Sequence, residues 1–263
     1  MLYTNTTQDE IRQEISRIGK YELLDEILEG ASAYSFIALH KPLNRKVFLK
    51  IYDICPDDNH EVIFKEPRSL LATTMKNASG CEYLVDILDT ETLDNNRILV
   101  GMEYIEGRSL LSHIRSHHFP LMDGIEIVKK LLHGLSCLHN SHFVHRDIKP
   151  ANVMLNLENN PKLTDFGSVA RISQQSDFVT ASKHSALYVP PEGWEVPSRF
   201  GITSDIYQVG MVLYELINGP LPSEYEYWID NDAKKELKQK GLTYADLDDF
   251  SKALLHEVWV KTG

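Results

Sequence analysis

The sequence predicts an α+β protein, in which a small β-rich amino-terminal lobe with one main helix precedes a mostly helical carboxy-terminal lobe. Strand-like runs dominate from Tyr21 to Ile51 and return twice before residue 106. Beyond that point, apolar residues recur at helical spacing. The 263 residues are enough for one large domain or two lobes. We expect a helical extension over 1–20, one lobe over 21–106 and a second over 107–263.

Composition excludes several classes of function. The net charge of −11 disfavours a general affinity for nucleic acid. No apolar run approaches the ~20 residues of a membrane span, and the first residues do not resemble a signal peptide. The cysteines Cys55, Cys81 and Cys137 form no CxxC pair, which is typical of a reduced protein. We therefore expect a cytoplasmic protein that binds neither nucleic acid nor a membrane.

The first half of the sequence predicts one helix followed mainly by strands. Thr7 and Glu10 are spaced as a capping box, and isoleucines follow at helical spacing, which predicts a short helix that serves packing. Residues 27–50, "ILEGASAYSFIALHKPLNRKVFLK", predict a strand, a tight turn, a second strand and a third strand that ends at Lys50. A helix is expected around 60–76. The runs "YLVDILD" and "RILVGMEYI" predict two further strands.

The second half contains two strong helix patterns separated by a hairpin. The stretch "SDIYQVGMVLYELINGP" is apolar nearly all round, opens on a Ser/Asp cap and should lie in the middle of its lobe. The stretch "NVMLNLENNPKLTDFG" predicts a hairpin that turns at Asn159-Asn160-Pro161. The adjacent His117 and His118 are expected to be loop, because two histidines alone make a poor metal site. One apolar stripe comprises Val128, Leu131, Leu132, Leu135 and Leu138.

The segment "VHRDIKPANVML" carries the clearest chemistry. Transfer of a phosphoryl group from ATP to a hydroxyl needs a carboxylate to orient the hydroxyl, a cation on the moving group and oxygen ligands for magnesium. One loop could supply all three through Asp147, Lys149 and Asn152, in that order. A second magnesium ligand, Asp165, follows thirteen residues after Asn152 in the triplet Asp-Phe-Gly.

These motifs, followed by Pro190-Pro191-Glu192, resemble the eukaryotic-type serine/threonine protein kinases from about Tyr21 to Pro220. The resemblance implies a bilobal kinase fold, ATP and magnesium as cofactors, and transfer of phosphate to a protein substrate, for which the kinase itself is one candidate. Lys149, two residues after Asp147, favours the serine/threonine branch. Nothing in the sequence dictates an oligomeric state.

The resemblance also implies a nucleotide site. Lys50 would hold the ATP phosphates and pair with Glu66, which lies sixteen residues later in the predicted helix. Met102 would be the gatekeeper beside the adenine. The base would contact the backbones of Glu103 and Ile105, with Met154 as part of its floor.

Other residues would regulate or support the catalytic loop. Arg146 implies a site for an activation-loop phosphate, for which Thr180 and Ser182 are candidates. Ser185 stands where this branch places a hydroxyl that meets the loop. Asp205 would anchor the loop backbone, although a plain helix N-cap predicts the same residue. The side chains of His145, Phe166 and Leu70 would stack as an internal apolar spine.

The chain departs from the family at two places. The phosphate-covering flap contains Gly30 but not the usual three glycines, whose lack of a Cβ lets backbone N–H groups approach phosphate. Phe48 stands where an alanine usually covers the adenine. No arginine follows Arg199, so Glu192 lacks its usual arginine partner, and we expect a truncated or reduced second lobe.

Two alternatives to an active protein kinase stay open. A nucleotide-binding pseudokinase or scaffold would explain the altered flap and Phe48. A small-molecule kinase would share the catalytic carboxylate and metal ligands, but would not be expected to combine Lys149 with "HSALYVPPE". All the groups that phosphoryl transfer requires are present, which favours an active enzyme.

Overall fold

The computed structural model describes residues 8–30, 33–53, 81–93, 97–116, 119–172, 178–179, 186–194 and 199–221. The chain divides into two compact units. The first unit comprises Met1–Ala78 and Val85–Ile105, and the second comprises Ser79–Leu84 and Glu106–Gly263. Thr7 and the helix expected around 60–76 lie outside the described residues.

The first unit is built on a five-stranded antiparallel sheet of order β1-β2-β3-β5-β4. Its strands are β1 (Tyr21–Gly30), β2 (Ala33–His40), β3 (Arg45–Asp53), β4 (Ile87–Leu93) and β5 (Arg97–Glu103). In β3, Val47, Leu49 and Ile51 are buried, whereas Phe48 and Lys50 between them are half-buried. This alternation follows from the two-residue period of a strand.

Two strand boundaries differ from those predicted. β3 continues three residues past Lys50, because Ile51, Tyr52 and Asp53 still pair with β5. β4 begins only at Ile87, so the prediction that "YLVDILD" is one strand was wrong. Its first residues pair elsewhere: Leu84 forms a parallel bridge with Leu163, and the Leu163 amide donates to the Tyr83 carbonyl.

Helix α1 (Gln8–Ile18) packs on this sheet, as its isoleucine spacing predicts. Ile11 and Ile15 are buried in one apolar cluster with Phe36 and Leu49. On the same helix, the Glu14 carboxylate pairs with the guanidinium of Arg97 at the start of β5, and the exposed fraction of the Arg97 side chain is only 1%. The amino-terminal helix is therefore part of the core of the first unit.

Replacing Glu14 by alanine should destabilise the protein by about 3–5 kcal/mol, because it leaves the charge of Arg97 buried without this carboxylate. Urea unfolding measures this loss of stability. The control variant is Glu10→Ala, which removes an exposed carboxylate from the same helix. Equal midpoints for the two variants would show that the buried ion pair does not hold the helix.

After Ser79–Leu84, the second unit continues with the short strand β6 (Gly107–Ser109), helix α2 (Leu110–Ser116) and the long helix α3 (Leu121–Asn140). β7 (Phe143–Val144) pairs with β10 (Ala170–Arg171), and β6 pairs with the hairpin of β8 (Val153–Asn156) and β9 (Pro161–Leu163). A Cβ on Gly107 would lie 1.8 Å from the Leu155 carbonyl oxygen, so only glycine permits this approach of β6 to β8.

The predicted hairpin is confirmed. Its turn is closed by Asn156, whose Oδ1 accepts hydrogen bonds from the amides of Glu158 and Asn160. Pro161 is the first residue of β9 rather than part of the turn. A proline is tolerated there because the first position of a strand can lack an N–H donor.

Helix α4 (Ile202–Asn218) is the apolar helix expected from the sequence, but it begins earlier. Gly201 is its N-cap, so Ser204 and Asp205 lie inside the first turn and the prediction of a Ser/Asp cap was wrong. In α3 the apolar stripe is buried except for Leu132, which is 36% exposed. None of the helices in the described ranges is long and apolar enough to cross a membrane.

Candidate active site

The catalytic loop follows β7 and ends in the short turn Pro150–Asn152. Two side chains of the loop bind the Asp147 carboxylate: Lys149 Nζ and Asn152 Nδ2 each donate to Oδ2 at 3.0 Å. Asn152 Nδ2 also donates to the Asp147 carbonyl at 2.8 Å. The structure thus brings together the three residues to which the sequence assigns the phosphoryl-transfer chemistry.

The orientation of Asn152 suits a magnesium ligand. Its amide nitrogen is turned to Asp147 by two hydrogen bonds, so its oxygen Oδ1 is the atom that a cation could use. The amide oxygen and the Asp165 carboxylate are the hard oxygen donors that magnesium prefers. Among the described residues no group of three or more histidine, cysteine or acidic side chains could hold a metal ion, so this donor set would need water or phosphate oxygens to complete it.

Asp165 lies two residues after the end of β9 in a left-handed conformation, with φ 63°. Its Oδ1 accepts a hydrogen bond from the Gly167 amide at 3.3 Å. The next residue, Phe166, contacts the His145 ring edge-on, with ring centres 5.9 Å apart. This part of the expected apolar spine is present, whereas Leu70 lies outside the described residues.

His145 belongs to the catalytic loop and is fully buried, and its ring faces the segment that carries the triplet Asp-Phe-Gly. Burial lowers the pKa of His145, although nearby carboxylates oppose this effect. A neutral imidazole fits its contacts, because Nε2 can donate to the Thr164 carbonyl at 3.1 Å while Nδ1 faces the Asp147 amide at 3.4 Å. The ring therefore links the two segments that carry Asp147 and Asp165.

Asp205 anchors the catalytic loop to α4, as the family resemblance implies. Its carboxylate accepts hydrogen bonds from the backbone amides of His145 and Arg146 and from the His139 ring, each at 2.8 Å. The side chain is completely buried. The alternative role of an N-cap was wrong, because α4 has already begun at Ile202.

An Asp205→Asn variant should be destabilised by about 1–3 kcal/mol, because an amide has one acceptor oxygen and must turn its NH2 group towards a backbone amide. Urea unfolding checks this, with Asp123→Asn as the control, since Asp123 is an exposed carboxylate on α3. Equal stability of the two variants would contradict the anchoring role.

Arg146 is buried, and burial lowers the pKa of its guanidinium to about 10. Its Nε donates to the Ser168 carbonyl at 2.5 Å, and its backbone is left-handed, with φ 69°. The predicted role in binding an activation-loop phosphate stays a prediction. The candidate partners Thr180 and Ser182, and also Ser185, lie outside the described residues.

Helix α4 also holds the segment that contains Pro190-Pro191-Glu192. Ser204 Oγ donates to Glu192 Oε1 at 2.7 Å, so a serine of this chain binds the carboxylate for which the sequence offers no later arginine. Tyr188 donates its hydroxyl to Glu215 at 2.7 Å, and the Leu221 amide donates to the same carboxylate at 2.9 Å. The only sequence signal for these pairings is the presence of polar residues within an apolar helix.

Burial raises the pKa of Glu215, which its hydrogen bonds from Leu221 and Tyr188 partly offset. The folded protein therefore keeps this proton at pH values where the unfolded carboxyl, with its ordinary pKa of 4.5, has lost it. Protonated Glu215 therefore contributes fully to the free energy of unfolding below pH 4.5, and this contribution is lost as the pH rises through the raised pKa.

The unfolding free energy of the wild type, relative to Glu215→Gln, should consequently fall as the pH rises from 4.5. Urea unfolding at several pH values measures this difference. A difference between the wild type and Glu215→Gln that does not change with pH would contradict the raised pKa.

The first unit carries most of the residues predicted to bind nucleotide. Lys50 lies in β3 opposite Ser35 and Val100, and its Nζ is 5.2 Å from the centre of the Tyr52 ring. Its predicted partner Glu66 lies outside the described residues. Gly30 is the last residue of β1 and pairs with Ala33, so the one flap glycine lies at the end of the β1–β2 hairpin.

The predicted adenine contacts lie at the end of β5 and in β8. Met102 is buried and pairs with Phe48, so the bulky residue in β3 lies opposite the expected gatekeeper. The Glu103 amide donates to the Asp86 carbonyl at 2.9 Å, and Ile105 is the last residue of the first unit. Met154 is half-buried in β8 of the second unit.

Comparison with known proteins defines the class. A family model described as the protein kinase domain matches residues 21–257. The chain therefore belongs to the protein kinase family, and its relatives place it with the serine/threonine kinases. An α+β fold with an antiparallel sheet in the first unit agrees with this assignment.

Three relatives illustrate the similarity. A protein of Saccharomyces cerevisiae, provisionally named a serine/threonine-protein kinase, is 30% identical over 239 residues, which are 90% of this chain and 24% of that protein. Serine/threonine-protein kinase PrkC of Bacillus subtilis is 31% identical over 216 residues, 79% of this chain and 32% of PrkC. Serine/threonine-protein kinase CLA4 of Candida albicans is 29% identical over 239 residues, 88% of this chain and 24% of CLA4. The chain thus spans about a quarter to a third of the length of these relatives.

Proposed function

We propose that this chain is an active kinase that transfers the γ-phosphate of ATP to a serine or threonine hydroxyl of a protein, with the chain itself as one candidate substrate. The observation that carries the proposal is the Asp147 carboxylate, held within hydrogen-bond distance of Lys149 and Asn152. A loop that only joined β7 to β8 would not need an ammonium and an amide gathered around one carboxylate oxygen.

Asp147 is the proposed acceptor of the proton. As the substrate hydroxyl oxygen forms its bond to the γ-phosphorus, the bond between that phosphorus and the β–γ bridging oxygen breaks, and ADP leaves. The hydroxyl proton passes to the Asp147 carboxylate. Lys149 lies 3.0 Å from the same carboxylate, so its ammonium is placed to offset negative charge on the moving phosphoryl group.

Asn152 and Asp165 are the proposed magnesium ligands, through the amide Oδ1 and the carboxylate. Bound magnesium would neutralise phosphate charge during transfer. The two hydrogen bonds from Asn152 Nδ2 fix the amide before any ion arrives, which lowers the ordering cost of binding it.

The nucleotide contacts remain those that the family resemblance implies. Lys50, paired with Glu66, would bind the phosphates. Gly30 would let the flap approach them. The backbones of Glu103 and Ile105 would bind adenine, with Met154 below it. We further propose a cytoplasmic enzyme, with Arg146 as the receptor for a phosphate on Thr180 or Ser182, and with Ser185 meeting the catalytic loop.

The decisive experiment follows phosphate from labelled Mg-ATP into the chain itself and into a generic basic protein substrate. Asp147→Asn should lower the rate by about 10²–10⁴-fold, because the variant cannot accept the proton. The exposed Asp123→Asn should keep wild-type activity. Removing magnesium with EDTA should abolish transfer.

A folded wild-type protein that incorporates no phosphate would overturn the proposal. Its melting temperature with and without Mg-ATP would then separate two classes of protein. A rise in Tm would indicate a nucleotide-binding pseudokinase or scaffold, whereas no rise would indicate a protein that does not bind ATP.

A further inference from the structure

Gln208 is a completely buried polar residue on α4, one turn after Asp205. Its side-chain amide binds three backbone groups. Oε1 accepts from the Ile148 amide at 2.9 Å, while Nε2 donates to the Arg146 carbonyl at 3.0 Å and to the Tyr188 carbonyl at 3.1 Å. Both hydrogens of the Gln208 NH2 group are thereby used.

Two of these backbone groups flank the proposed catalytic base. The Arg146 carbonyl belongs to the peptide unit before Asp147, and the Ile148 amide belongs to the peptide unit after it. Gln208 therefore holds Asp147 from both sides through the main chain. A shift of either peptide unit would move the Asp147 carboxylate.

The loop needs such support because its backbone is unfavourable at Arg146. A left-handed φ of 69° costs a residue with a Cβ about 1–2 kcal/mol and persists only when neighbouring contacts enforce it. Asp205 binds the Arg146 amide, and Gln208 binds the Arg146 carbonyl. The strained residue is thus fixed at both ends by one helix.

The third contact reaches the segment before Pro190-Pro191-Glu192. Gln208 binds the Tyr188 carbonyl, and Glu215, two turns later on α4, binds the Tyr188 hydroxyl. Helix α4 consequently fixes the backbone and the side chain of this residue. The same Gln208 amide that positions Asp147 therefore also holds Tyr188.

We propose that Gln208 is a positioning residue for phosphate transfer, which sets the main chain on both sides of Asp147 and fixes it relative to Tyr188. The inference rests on the proposed kinase function. A merely structural glutamine would contribute to stability alone, whereas a positioning residue also sets kcat. Small displacements of a catalytic group are enough to do so, since a misplacement of about 1 Å can cost about 10²-fold in rate.

The first test replaces Gln208 by methionine, which has a similar length but cannot form the three hydrogen bonds. Below its melting temperature, Gln208→Met should lower kcat by about 10–100-fold. The KM for Mg-ATP should stay within about twofold, because ground-state binding of the nucleotide is not removed. The matched control is Val212→Ala, a buried residue one turn later on α4, which loses packing but none of the three hydrogen bonds.

A second readout does not depend on activity. Hydrogen exchange of the Ile148 amide should accelerate in Gln208→Met and stay at the wild-type rate in Val212→Ala, when both are compared in the folded state. Should Gln208→Met fail to fold, Gln208→Ser replaces it. The smaller side chain leaves a polar space with three backbone partners that water can satisfy, so the fold is kept while the rigid link is lost.

Wild-type kcat in a folded Gln208 variant would overturn the inference, and so would an equal loss of kcat in Val212→Ala. Failure of the proposed function would look different, because the wild type itself would then transfer no phosphate. In that case the Ile148 amide still tests whether Gln208 holds the main chain around Asp147: unchanged exchange in the folded Gln208 variant overturns that hold, and faster exchange supports the hold but not a role in phosphate transfer.

Discussion

The buried main chain of the catalytic loop is the constraint on which the rest of the site depends. Residues 145–149 belong to no helix or strand, yet His145, Arg146 and Ile148 are almost entirely buried. Buried backbone amides and carbonyls must find partners, because leaving one unsatisfied costs about 1–3 kcal/mol. Helix α4 supplies those partners through Asp205 and Gln208.

This arrangement explains why charged and polar groups lie inside an otherwise apolar helix. The Asp205 carboxylate is compensated by three N–H donors, two of them backbone amides. These hydrogen bonds also specify the position of the loop, because both Asp205 oxygens have backbone donors only when the amides of His145 and Arg146 lie against them. Glu215 on the same helix accepts hydrogen bonds from the Tyr188 hydroxyl and from the Leu221 amide, and so holds Tyr188 and the chain that leaves α4.

Two of the five non-glycine residues with positive φ in the described ranges lie where the chemistry is proposed. Arg146 and Asp165 are both left-handed, one directly before the proposed base and the other a proposed metal ligand. Strained conformations persist only when surrounding contacts enforce them. The contacts from α4 to Arg146, and the link through His145 to Thr164 and Phe166, provide that enforcement.

Local sequence patterns predicted which helices and strands form better than they predicted the residues at which those elements begin. The hairpin of β8 and β9 and the helix α1 follow from turn residues and apolar spacing, which are local properties. The start of β4 could not be predicted, because Leu84 pairs with Leu163, about eighty residues away in the sequence. The start of α4 could not be predicted because its N-cap is Gly201: Ser204, inside the first turn, accepts from the Gly201 amide and donates to Glu192, and Asp205 binds the catalytic loop.

The sequence by itself determined the family, the α+β class and the proposed catalytic set, because the chemistry of phosphoryl transfer demands those residue types at short, fixed spacing. It also determined the glycine-poor flap around Gly30. Only the tertiary structure decided that Ser204 binds Glu192, that Asp205 is an anchor rather than a cap, and that Gln208 holds Asp147 from both sides. These are contacts between residues distant in sequence, and their partners are mostly backbone groups, which carry no signature in the amino-acid sequence.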